Sequence, residues 1–148
     1  MLYKNILVPL DGSKRAEKIL PHVKALAHQF GAKLVLVQVV EPVAAVVSPY
    51  ETLPHYTAEY VDRLIDGAKA YLTGIRELLH AESIETISYV ENGPIIFSLM
   101  QLAMRENVDL IALASHGRTG MAGAFYGSIT AGLLNRIDRP LLVIRAEH

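Results

Sequence analysis

The stretch from Ala112 to Thr130, ALASHGRTGMAGAFYGSIT, carries the residues best suited to hold an anion. It leaves an apolar run, crosses a loop containing Gly117, Gly120, Gly123 and Gly127, and enters a helical pattern. Glycine permits positive φ and lets a ligand approach the chain closely. Gly127 and Ser128 fall where a last helix would begin. The first N–H groups of a helix lack intrahelical acceptors, and the helix dipole favours negative charge there. Ser128 and Thr130 add hydroxyl donors, and Arg118 adds a charge that can pair with phosphate oxygens. The same glycines would also serve a plain strand-to-helix turn capped by Ser128, so spacing alone leaves both readings open. The stretch contains no Gly-Lys-Ser/Thr of a Walker loop, and no dinucleotide fingerprint follows the first strand.

Asp11, in PLDGS, closes the first apolar run. A carboxylate there could accept hydrogen bonds from a ribose or help hold a magnesium ion. It could equally cap the following helix. His116 invites a general-base role, but no carboxylate near it in sequence would orient it, and a backbone hydrogen bond is the commoner use of a loop histidine. The six histidines show no HExxH or comparable spacing, so no protein-held transition metal is expected. Ser13, Ser115 and Ser128 lie outside any G-x-S-x-G elbow, which leaves acyl transfer without support. The absence of cysteine excludes thiol catalysis and cysteine-based zinc sites and fits a reducing compartment. No catalytic residue is assigned.

These residues need a frame. Asn5–Leu10 reads as a strand buried on both faces. Ala16, Ile19, Leu20, Val23, Leu26, Ala27 and Phe30 recur at helical spacing, with Asp11 or Ser13 as cap and Gly31 as terminator. Pro21 inside that pattern should kink the helix or leave a carbonyl unpaired. Lys33–Val40 is a second, strongly β-branched strand. Glu41–His55 holds three prolines and no period, and reads as an unusually long loop. Val61, Leu64, Ile65, Ala68, Leu72, Ile75, Leu78 and Leu79 mark a long amphipathic helix. A third strand spans Glu85–Val90, and a helix follows with Pro94 in its first turn. Asp109–Ser115 is the fourth strand. Thr130, Leu133, Leu134 and Ile137 line a short helix before the fifth strand, Arg139–Arg145.

Strict strand–helix alternation predicts an α/β fold with a parallel, doubly wound sheet of about five strands. An order 3-2-1-4-5 would set the ends of strands one and four, PLDGS and ASHGRTG, side by side at the switch point where such sheets bind ligands. The 148 residues suit one domain, which buries roughly 70% of its unfolded surface without a disulfide or metal. A net charge of −1 gives no sign of a nucleic-acid face or a polybasic membrane anchor. The start, MLYKNILVPLDGSK, lacks the apolar core of a signal peptide, and no stretch reaches the ~18 apolar residues of a membrane span. A cytoplasmic protein is expected, with neither nucleic acid nor membrane as partner.

ILVPLDGS near the start, with VDLIALASHGRTG, YGSIT and RPLLVIR near the end, resembles the universal stress protein family over essentially the whole chain. The family's nucleotide-binding branch carries Gly-x-x-Gly, nine residues, then Gly-Ser/Thr. In this chain Gly117 is the second glycine, Arg118 to Tyr126 are the nine, and Gly127-Ser128 close the motif. Ala114 replaces the first glycine, adding a methyl group and disfavouring positive φ at that point. The resemblance implies a Rossmann-like fold of the adenine-nucleotide alpha-hydrolase type. It implies that Pro9, Leu10 and Asp11 line the adenine and ribose end, with Val39 against the base. Leu113 and Ala114 would sit beside base and ribose, and Gly117, Gly127, Ser128 and Ile129 would surround the phosphates. The expected ligand is ATP, ADP or AMP, with magnesium on the phosphates near Asp11. A homodimer through the last strand, Pro140 to Arg145, is also implied. The expected function is nucleotide-dependent regulation in a stress response, with at most slow ATP hydrolysis. The alternative is a dimeric interaction module without nucleotide, for which Glu41–His55 would be the contact surface.

Overall fold

A computed structural model describes residues 2–41, 58–115 and 127–146. The apolar runs become strands β1 (Asn5–Pro9), β2 (Lys33–Val40), β3 (Thr86–Asn92), β4 (Leu110–Ser115) and β5 (Leu141–Arg145). Between them run helices α1 (Leu20–Phe30), α2 (Ala58–Ala81), α3 (Ile95–Arg105) and α4 (Gly127–Arg136). Every pairing is parallel and the order is β3-β2-β1-β4-β5, the order expected from the sequence. Of the segment Glu41–His55, all but Glu41 lies outside the described residues.

Right-handed crossovers put α1 and α2 on one face of this sheet and α3 and α4 on the other. The side chains follow. Ile6 and Val8 of β1 join Leu34, Leu36, Val23 and Leu72 in one cluster. Leu7 between them joins Val35, Val37, Leu99 and Leu133 in a second. All three β1 residues are fully buried, which is why this strand reads as an unbroken apolar run.

The expected conflict at Pro21 is resolved by splitting the segment. A 3-10 turn covers Ala16–Ile19, and the α-helix starts only at Leu20, so Pro21 sits in its first turn. A proline there removes an N–H that has no partner anyway. Gly31 ends α1 in the left-handed region, at φ 64°, as a C-terminal glycine does. Pro94 stands one place earlier than expected, as the N-cap of α3. Strands β1, β4 and β5 are shorter than their apolar runs, and β3 is shifted to Thr86–Asn92. The apolar pattern of α2 is wider than its buried stripe. Ala68, Leu72, Ile75 and Leu79 are buried, whereas Leu64 and Leu78 lie on its solvent side. Leu134 of α4 is likewise exposed.

The two leucines of α2 give a direct check. Leu72→Ala should lower unfolding free energy by about 2–5 kcal/mol, because it empties a filled core position. Leu78→Ala should stay within about 0.5 kcal/mol, as exposed substitutions do. Urea unfolding of both variants, followed by circular dichroism, measures the contrast.

Candidate functional site

β1 lies against β4 with Ile6 opposite Leu110 and Leu7 opposite Ile111. Extending that register sets Pro9 level with Leu113 and Leu10 level with Ala114. On the other side Pro9 faces Val37, two residues before Val39. Pro9, Leu10, Val39, Leu113 and Ala114 are thus gathered at the carboxyl edge of three adjoining strands. Their side chains divide between the faces. Leu10 and Ala114 pack with the cluster under α1 and α2, and Val39 and Leu113 with the cluster under α3 and α4.

The turn after β1 is built around Asp11. The Leu10 N–H still donates to Val37 O at 2.8 Å, so strand pairing continues one residue past Pro9. Asp11 Oδ1 then accepts from the Ser13 N–H at 2.9 Å and the Ser13 hydroxyl at 2.6 Å. Asp11 Oδ2 receives Arg15 Nη2 at 3.3 Å. Ser13 Oγ in turn accepts from the Ala16 N–H at 3.1 Å, at the start of the 3-10 turn. Neither Asp11 nor Ser13 stands at an N-cap, which falls to Arg15 for the 3-10 turn and Ile19 for α1; Ser13 instead takes the first N–H of the turn, and Asp11 shapes the chain in front of it. Gly12 has φ +86°, which explains its glycine, while a Cβ there would meet nothing within 4 Å. The Asp11 carboxylate stays more than half exposed at the mouth of the site.

Ala114 lies inside β4, opposite Ile144. Among the described residues the positive-φ residues other than glycine are Ser83 and Asn107, so the alanine occupies a backbone conformation that suits it. Ala114 costs this strand no backbone strain, and its methyl packs against the core. α4 begins at Gly127 on the same edge, with Ser128 exposed, Ile129 half-buried and Thr130 buried at 1% exposure. Thr130 thus lies within the protein rather than at the surface, unlike Ser128. Gly117, Arg118 and His116 lie outside the described residues.

Three buried side-chain atoms on segments that run to this edge have no hydrogen-bond partner: Arg15 Nε, Gln38 Oε1 and Ser115 Oγ. Arg15 follows β1, Gln38 is near the end of β2, and Ser115 ends β4. A buried polar atom without a partner costs about 1–3 kcal/mol, so each of the three invites a ligand or water; the strand alternation turns Gln38 towards the α1 and α2 face and Ser115 towards the α3 and α4 face. Arg15 and Gln38 did not stand out in sequence. A glutamine inside KLVLVQVV was the available signal for one, and the spacing of four from Asp11 for the other.

Behind the Asp11 turn, Tyr71 of α2 donates its hydroxyl to Glu17 Oε2 at 2.6 Å. Burial first, then the hydrogen bond to Glu17 and its charge, with a further contribution from Asp11, push the Tyr71 phenol well above its ordinary value of 10.0. Among the described residues, no three histidine or carboxylate side chains are grouped to hold a metal. No described helix is long and apolar enough to cross a membrane.

A parallel sheet of order β3-β2-β1-β4-β5, wound on both faces, is a doubly wound α/β domain. The chain belongs to the universal stress protein family, which it matches over residues 2–145. It is 24% identical to universal stress protein MJ0577 of Methanocaldococcus jannaschii, covering 100% of this chain and 98% of that one. The solved structure of MJ0577 superposes with a TM-score of 0.83 at 26% identity, covering 100% of this chain and 99% of that chain. A universal stress protein in complex with cAMP has a TM-score of 0.66 at 18% identity, covering 99% and 100%. One from Archaeoglobus fulgidus in complex with dAMP has a TM-score of 0.67 at 17% identity, covering 98% and 100%.

Tyr71 gives this region a pH signature. Its pKa is higher folded than unfolded, so above about pH 10 the unfolded chain releases the proton first and stability falls as pH rises. Tyr71→Phe should remove part of that alkaline loss. Tyr89, raised by burial and by its bond to Glu106, should account for some of the remainder. Urea midpoints of wild type and variant between pH 8 and about pH 11 measure the difference; parallel curves would contradict it.

Proposed function

We propose that this chain binds an adenine nucleotide at the carboxyl edge of its sheet and acts as a nucleotide-dependent regulator in a stress response. The observation that carries this reading is the set of orphaned polar atoms, Arg15 Nε, Gln38 Oε1 and Ser115 Oγ, on segments that run to the carboxyl edge of β1, β2 and β4. A plain strand-to-helix turn has no use for buried polar atoms left unpaired. The cAMP and dAMP complexes of structurally similar proteins support adenine as the base. On this reading Pro9, Val39 and Leu113 supply apolar wall, and Asp11 accepts hydrogen bonds from the ribose. The N–H groups of Gly127, Ser128 and Ile129 receive phosphate, with the Ser128 hydroxyl beside them. Gly117 and Arg118 complete the phosphate end.

Asp11 fits a ribose better than a metal. Both of its oxygens already accept hydrogen bonds, one of them from a guanidinium. Magnesium, where present, is carried by the nucleotide's own phosphates. Among the described residues the site offers no oriented base for rapid hydrolysis, so on this reading the nucleotide acts as an effector, whether ATP, ADP or AMP. The homodimer belongs to this reading too. β5 pairs only with β4 and carries the half-buried row Leu141–Ile144, an apolar edge that a second copy can extend.

Isothermal titration with ATP, ADP and AMP tests the ligand. Binding at or below millimolar concentration is expected, with at least a tenfold loss in Gly127→Val, whose branched side chain crowds the phosphate end. No binding of any of the three at millimolar concentration would leave only the interaction-module reading. Light scattering should give twice the 16.3 kDa chain mass; a monomer at micromolar concentration would remove the dimer.

A further inference from the structure

Away from the switch point, α2 and the edge strand β3 enclose a cavity of about 380 Å³ lined by Lys69, Leu72, Thr73, Arg76, Ser88, Tyr89 and Val90. Lys69, Thr73 and Arg76 are spaced i, i+4, i+7 and share one side of α2, beside the buried stripe that holds Leu72. Ser88 and Val90 project from β3 towards the same helix, while Tyr89 turns its ring to the other face and bonds Glu106. The cavity therefore has an apolar floor of Leu72 and Val90 and a polar rim.

The rim is cationic and lacks a counter-charge. None of the lining residues carries a carboxylate. Among the described residues no ion pair joins a carboxylate to Lys69 or Arg76, unlike Lys14, Arg15, Lys24, Arg105 and Arg139. Glu91, further along β3, is held by Arg105. Arg76 Nη1 donates to Ser88 Oγ at 3.3 Å, which fixes the guanidinium over β3 and leaves the Ser88 proton to donate elsewhere. The Thr73 hydroxyl lies between the two cations along the helix. The main chain adds donors. Leu34 N–H bonds Glu85 O and Gly93 N–H bonds Val40 O, so odd-numbered residues of β3 face β2. The alternation of a parallel ladder then turns the N–H groups of Ser88 and Val90 away from β2, to the strand's outer edge.

Two cations, two hydroxyls and outward N–H groups over an apolar floor make a lining rich in donors, with the outward carbonyls of the same strand residues as acceptors and no carboxylate. We propose that this α2–β3 cavity is a second anion site, and that it takes the phosphate monoester of a small metabolite. Such a group carries close to two negative charges at neutral pH and several strong acceptor oxygens, matching the ammonium, the guanidinium and the hydroxyls. The competing account is that Lys69 and Arg76 only guard an open strand edge against pairing with another chain. An edge guard needs charge but has no preference for one anion over another.

Amide NMR of the whole protein separates the two. Inorganic phosphate and glycerol 3-phosphate are titrated separately, against sodium chloride at matched ionic strength. Saturable shifts at the Ser88 and Val90 amides in the millimolar range or below are expected with phosphate and glycerol 3-phosphate but not with chloride. Tighter binding of glycerol 3-phosphate would identify a metabolite, and equal binding would identify free phosphate as sufficient. Lys69→Gln with Arg76→Gln should weaken the binding at least tenfold while leaving ATP affinity unchanged. Absence of saturable shifts in the wild-type protein, the same shifts with chloride, or undiminished binding in the double variant would overturn the proposal. The wild-type titration decides even if the double variant fails to fold.

Discussion

A parallel sheet must be covered on both faces, and the crossovers that cover it have one hand. Almost everything else in this protein follows. The chain lays β2 and β3 to one side of β1, then crosses back to place β4 and β5 on the other. That reversal sends α1 and α2 to one face and α3 and α4 to the other. Sheets wound in this way bind ligands where the order reverses, here between the carboxyl ends of β1 and β4. Parallel alternation starts each helix from the carboxyl side of the sheet, so α4 begins on the side where the Asp11 turn follows β1.

The turn after β1 is fixed by local order rather than by bulk. Asp11 fixes Ser13, Ser13 fixes the 3-10 turn, and Tyr71 holds that turn from behind through Glu17. A turn so constrained loses little entropy when a ligand settles on it. The unpaired atoms of Arg15, Gln38 and Ser115 are the opposite kind of feature, a local loss of stability tolerated within an otherwise satisfied core. The two outer edges of the sheet differ as well. β3 is overhung by a cationic stripe of α2, whereas β5 presents half-buried apolar residues.

Much of this was legible in the residues. The run NILVPL and the β-branched KLVLVQVV could only be strands buried on both faces, and the four helical patterns between runs fixed a parallel topology. The placement of Asp11 after a strand and of Gly127 and Ser128 at a helix start was legible because the apolar runs stop and the helical period begins there. Other features were not. Pro21 looked like a defect because sequence periodicity does not separate a 3-10 turn from the α-helix it leads into. Leu64 and Leu78 fit the apolar face of α2, yet only the line of contact with the sheet decides which members of that face are covered. Ala114 looked like a compromised glycine, and its harmlessness rests on a strand conformation that residue type alone does not specify.

Sequence by itself determined the alternation of elements, the parallel sheet and its order, and the two segments that meet at the switch point. These depend on hydrophobic period, on β-branching and on the handedness of crossovers, all of which are local or universal. Tertiary structure alone decided which polar atoms are left without partners, that Ser13 rather than Asp11 takes the first N–H of the 3-10 turn, and that Lys69 and Arg76 share a cavity with Ser88. Those facts depend on distances between residues far apart in the chain, and on the absence of a partner, which no single residue's identity can record.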